Sequence, residues 1–190
     1  MTAVVDAHVH VVSSDHDRYP LCPRSLSGTW YLDAPCSAPE LAKQMQACGV
    51  DGAILVQGVG AYSYDNRYAV DSARANPGRF VSASCIDFLA PDAGERLDDL
   101  ARVPGMQGIR VFAIGDEVDW LDDPVTFPIW ERATELGLQM IVTTLSEQLS
   151  RLRIYLRSFR TRPSRSITAA SPIPRSPKPC WLWPSSPTSI

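Results

Sequence analysis

The chain is poor in histidine: His8, His10 and His16 are the three it has among 190 residues, which leaves few candidates for imidazole chemistry. Its five cysteines, Cys22, Cys36, Cys48, Cys85 and Cys180, include no CxxC pair. Scattered and odd in number, they argue against a disulfide framework or a zinc knuckle and fit reduced thiols of the cytoplasm. No apolar run approaches the ~18 residues of a membrane span, and the amino terminus has no leader-like pattern, so neither membrane insertion nor secretion is expected. The net charge of −3 lacks the basic excess that attracts nucleic acid. No Gly-rich phosphate loop follows the first apolar strand, which counts against a dinucleotide site. One further lack is local. Beyond Glu147 there is no acidic residue, whereas Arg151, Arg153, Arg157, Arg160, Arg162, Arg165, Arg175 and Lys178 all lie there.

What is present is the composition of a single globular domain, 45% apolar and 21% charged. Val4 to Val12 reads as a strand. Alternation puts Asp6, His8 and His10 on one face and Val5, Ala7, Val9 and Val11 on the other. The two imidazoles then stand about 7 Å apart along the strand, at a rise of roughly 3.3 Å per residue. Two neutral imidazoles on one face form a ready pair of ligands for a divalent metal; the alternative is a pair of core or surface histidines. A polar loop containing His16 and Tyr19 follows, then a long irregular stretch with Trp30 and Tyr31.

Further on, strand and helix patterns alternate. Ser37-Ala38-Pro39-Glu40 is a capping box with proline in the first turn, and Gly49 supplies the stop. Leu41, Met45 and Cys48 would face inward. Strands are expected at 53–58, 80–87, 108–112 and 138–144, with helices at 65–75, 94–103, from 123 to 137, and from about 146. Five strand–helix alternations predict a parallel sheet with crossover helices. The candidates are an eight-fold β/α barrel and an open doubly wound sheet. Polar residues at successive strand ends (His10, Gln57, Asp87, Arg110, Thr143) favour the barrel, whose chemistry sits at that rim.

Asp6-Ala7-His8-Val9-His10, the Asp17-Arg18-Tyr19-Pro20 loop and Gly108-Ile109-Arg110 resemble the amidohydrolase superfamily. Within it they are most similar to the amidohydrolase-related branch that includes 2-pyrone-4,6-dicarboxylate lactonase and sugar lactonases. The resemblance runs over about residues 4 to 153. It implies a (β/α)8 TIM-barrel type α/β fold and hydrolysis of a lactone or related carboxylate-bearing ester or amide. In metal-dependent members the first-strand histidines, here His8 and His10, hold a divalent ion such as Zn or Mn, and an aspartate of a later strand takes the proton from the bound water. The lactonase branch also has metal-free members, in which these histidines would contact substrate. Arg110 fits a two-point carboxylate clamp, or an inward arginine neutralising barrel carboxylates. Gln57 and Thr143 either hydrogen-bond substrate or cap strand ends, and Tyr19 either covers the mouth or is a solvated loop residue.

The chain departs from the family after residue 157. No later histidine and no eighth-strand aspartate is present, and 158–190 reads as a basic Pro/Ser-rich tail, in contrast to the partial barrel of 1–157. Permitted codons for Ser166 to Ile173, read from the third base of the first codon, yield DHCGFPD, which resembles the sixth-strand motif of the family. The expectation is a frameshift near residues 153 to 160. The chain is then a barrel-lineage hydrolase lacking its general base. Its rivals are a non-catalytic barrel fragment that self-associates through an exposed sheet edge, and a small α/β ligand-binding domain with structural histidines. No nucleic acid or membrane partner is expected, and the ligand would be a small lactone or carboxylate.

Overall fold

The computed structural model describes residues 2–23, 28–114, 118–152 and 168–169. Five strands, β1 (Val5–Val9), β2 (Gly52–Val56), β3 (Phe80–Cys85), β4 (Met106–Ala113) and β5 (Gln139–Thr144), form one parallel sheet in chain order. A two-residue β6 (Thr168–Ala169) continues it, parallel to β5. The helices are α1 (Trp30–Asp33), α2 (Ala38–Cys48), α3 (Val59–Tyr62), α4 (Arg67–Ala75), α5 (Ala93–Ala101) and α6 (Phe127–Glu135). Sequential order with each strand beside the last is the winding of a β/α barrel, here an open half-barrel with β1 at one edge.

The outward residues of the strands pack beneath the helices in two apolar clusters. Val9 and Val11 meet Leu41 and Met45 of α2, Leu55 of β2, and Ala69 and Ala73 of α4. Ile109 and Val111 of β4 and Met140 and Val142 of β5 meet Leu97 of α5 and Trp130 of α6. The inward face is narrower and more polar; Val56, Ala83 and Ile141 form its apolar floor. Burial on both faces explains why β2 to β5 read as continuous apolar runs.

Local signals account for the helix bounds. Ser37 accepts from the Glu40 backbone N–H at 3.4 Å, and Glu40 accepts from the Ser37 backbone N–H at 2.8 Å. Gly49 closes α2 at φ 69°, a left-handed conformation that glycine adopts without Cβ strain. Some expectations need correction. Cys48 is exposed and not inward. A short strand, β6, stands where no strand pattern was expected. The helix α1 forms within the stretch that reads as irregular, and α3 falls between the strand expected at 53–58 and the helix expected at 65–75. The expected disordered tail lies outside the described residues apart from 168–169. No helix among the described residues is long and apolar enough to cross a membrane.

Candidate active site

The carboxyl ends of β1, β2, β4 and β5 bring His8, His10, Arg110 and Thr143 together on the inward face. Between Asp6 and Val9 the register of β1 slips by one residue against β2. Such a bulge bends the strand locally. The two imidazole rings lie 5.0 Å apart, edge to face, closer than the ~7 Å expected from an unbent strand. Val9 and Val11 take the helix side, which leaves the imidazoles to the site.

His10 is fixed by its backbone surroundings. Its Nδ1 lies 2.8 Å from the Val56 carbonyl oxygen. A carbonyl can only accept, so Nδ1 carries the proton and donates, and Nε2 keeps its lone pair. Burial, reinforced by the Arg110 cation, lowers His10 to about 3 and His8 to about 4. Both rings are therefore neutral at pH 7.

Arg110 is 5% exposed. Its Nε donates to Thr143 Oγ1 at 3.2 Å, one Nη donates to the Gln57 carbonyl oxygen, and the guanidinium lies 4.9 Å above the Phe112 ring. Burial lowers its pKa to about 10, so it stays charged at neutral pH. Among the described residues no carboxylate lies within ion-pair distance of it. Among the described residues two protein acceptors meet its five N–H groups, leaving donors for a bound anion.

The other sequence candidates sit differently. Gln57 is buried, and its amide nitrogen donates to the carbonyl oxygens of Ser63 and Asp65 at 3.0 and 2.9 Å. Its backbone oxygen, and not its side chain, meets Arg110. The Tyr19 hydroxyl donates to Asp71 of α4 at 2.8 Å, and its ring packs 4.9 Å from Tyr68, so it ties the β1–α1 loop to the helix layer. Sequence reasoning missed Trp30 as a site residue. Its ring centroid is 5.4 Å from that of His10, tilted by 34°. The only signal was a tryptophan in the long loop that follows the histidine strand.

The histidine pair raises the question of a metal. Two neutral imidazoles, one with its Nε2 lone pair free, are suitable donors. No group of three or more His, Cys, Asp or Glu residues that could hold an ion occurs among the described residues, and a cationic guanidinium acts on both rings. Structural and catalytic sites for such ions use three or four protein ligands. The described residues therefore do not complete a metal site.

A family model described as amidohydrolase matches residues 5–177. No curated protein matches the chain. Among solved structures, it is similar to a probable 2-pyrone-4,6-dicarboxylic acid hydrolase of Acinetobacter baumannii with citric acid bound, at TM-score 0.67 and 16% identity, over 88% of this chain and 57% of that one. It is also similar to an amidohydrolase of Burkholderia multivorans with bound zinc, at TM-score 0.64 and 19% identity, over 83% and 54% of the two chains. A third is the 5-carboxyvanillate decarboxylase of Novosphingobium aromaticivorans complexed with manganese and a nitrobenzoic acid, at TM-score 0.55 and 18% identity, over 74% and 49%. The chain spans about half the length of the solved structures it matches.

Proposed function

Because the chain belongs to the amidohydrolase family, we propose that its site receives the carboxylate of a small lactone, or of a related ester or amide, as part of a hydrolase lineage. The observation that carries this reading is Arg110, a buried guanidinium with no carboxylate partner among the described residues. Burying an unpaired charge is costly, and an incoming carboxylate would accept a charge-assisted pair of hydrogen bonds there. The citric acid in the Acinetobacter structure supports a carboxylate ligand for this fold.

In this reading Thr143 and the Gln57 carbonyl orient the guanidinium, and the neutral imidazoles of His8 and His10 stand beside the acyl group. Held near 3 to 4, they are poor bases at pH 7 and suit a ligand or hydrogen-bonding role. The zinc and manganese of the similar structures support a divalent ion at this pair in a completed barrel, whose further strands would supply its remaining ligands. No described residue takes the proton from an attacking water, so this chain binds its substrate and turns it over weakly or not at all. That missing base equally supports the second reading, a non-catalytic barrel fragment. Gln57 and Tyr19 act by holding the loops around the site. Cys22, Cys36 and Cys48 are free thiols, which supports a reducing, cytoplasmic setting.

The proposal also covers the end of the chain, read as out of frame from about residues 153 to 160. Support comes from Thr168–Ala169, which occupy the sixth-strand position beside β5, where the alternative reading supplies a histidine. An early stop in that other frame, found by sequencing the gene, would overturn it.

The test of the site is calorimetric titration with 2-pyrone-4,6-dicarboxylate and its dimethyl ester, with ring opening followed by ultraviolet absorbance. The diacid is expected to bind and the diester not. Arg110→Gln should weaken the diacid at least tenfold, since a hydrogen bond to a charged group contributes about 1.5–3 kcal/mol. Equal affinity for diacid and diester, or an unaffected Arg110→Gln variant, would sink the reading.

A further inference from the structure

Trp30 takes no part in the site as read from the sequence, yet the fold brings it onto the histidine pair. Tyr31, beside it in α1, is buried among Val12, Tyr19, Ala61 and Tyr62 and anchors the segment. Trp30 itself is only partly buried. Its ring is edge to face with Tyr31 at 5.8 Å and tilted over His10 at 5.4 Å, and His10 in turn meets His8 at 5.0 Å. The four rings form a continuous aromatic wall that ends at the imidazoles. Gly58 makes room for it: a Cβ there would lie 3.4 Å from Trp30 Cη2 and 3.9 Å from His10 Cβ. The indole thus rests against backbone, with no side chain from position 58 between it and the histidine. Elsewhere on the inward face Arg110 stacks on Phe112, so the guanidinium too stands against an aromatic surface.

We propose that Trp30 is the specificity-determining residue of this site, selecting acids whose carboxylate is carried on a flat, unsaturated ring over those built on a puckered, saturated one. The inference rests on the Arg110 carboxylate reading and adds the shape of what that carboxylate is attached to. An indole face is electron-rich and flat. It gains offset-stacking contact with an electron-poor planar ring, whereas a saturated ring presents axial hydrogens and touches it at few points. Aromatic pairs of this kind favour the stacked partner by roughly threefold to tenfold beyond area alone.

The experiment compares calorimetric binding of benzene-1,3-dicarboxylate and cis-cyclohexane-1,3-dicarboxylate to the full chain and to Trp30→Leu, Trp30→Phe and Arg110→Gln. The wild-type chain should prefer the flat diacid by roughly threefold to tenfold. Trp30→Leu should abolish the preference by weakening the flat diacid more than the saturated one, Trp30→Phe should keep part of it, and Arg110→Gln should weaken both diacids alike. Equal binding of the two diacids by the wild-type chain would overturn the role of Trp30 and leave the carboxylate site standing. So would a Trp30→Leu variant that keeps the preference or loses both ligands in proportion. Failure of both diacids to bind the wild-type chain would overturn the carboxylate site, and the inference with it. If Trp30→Leu does not fold, Trp30→Phe decides, since an undiminished preference there removes the indole from the argument.

Discussion

His10 and His8 give the fold a pH dependence with a definite sign. In the unfolded chain each imidazole takes up a proton as pH falls through about 6.5, whereas in the fold burial and Arg110 delay protonation to about 3 and about 4. Between those limits the unfolded state binds more protons, so stability rises with pH. The contribution is complete above about 6.5 and is lost as pH falls toward the folded values. The urea midpoint should therefore drop between pH 7.5 and pH 5. His10→Gln, which can still donate to Val56, should show a shallower drop, and an identical slope would remove His10 as its source. The histidine pair was legible because alternation along a strand is a local property. So was Arg110, whose inward register follows from its neighbours Ile109 and Val111. The place of Trp30 was not, because it depends on Tyr31 finding a pocket made by residues from 12 to 62, which no local pattern encodes.

Among the elements, β4 depends most on a single small residue. A Cβ at Gly108 would sit 2.8 Å from the Gln139 carbonyl oxygen and 3.4 Å from Ala83 Cβ. The atom it meets first is backbone, so neither β3 nor β5 can give way by a rotamer change. Gly108→Ala should destabilise the chain by about 1–3 kcal/mol, read from urea unfolding, and should weaken diacid binding because Arg110 lies two residues along the same strand. An unchanged midpoint would mean that the sheet has slack at this point. The five long strands and the capped helix α2 could be read directly, since apolar runs, turn residues and the Ser37–Glu40 box carry their signals within a few positions. The bulge in β1 and the short helices α1 and α3 could not. Each is the outcome of packing: α3, for example, is buried along its whole length although four residues have little helical tendency of their own.

At the scale of the molecule, β1 has no neighbour on one side among the described residues, and Val4 and Val5 are 52% and 56% exposed there. Unpaired strand edges with apolar side chains invite pairing with another chain. Sedimentation velocity should show a mean sedimentation coefficient that rises with protein concentration, and Val5→Lys should suppress the rise, because an edge lysine disfavours strand addition. A single species at every concentration would mean that the edge is covered. Winding direction and strand order were legible from the alternation of elements. The openness of the sheet was legible only as a shortage, in the histidines missing after His16 and the acidic residues missing after Glu147.

The strand that borders the sheet is also the strand that carries the imidazoles. A second chain pairing along that border would act on the same backbone that positions His8 and His10, and assembly and ligand capture would then be linked equilibria. A diacid that favours the paired form would draw copies together, and dilution would loosen its grip on the ligand by the same factor.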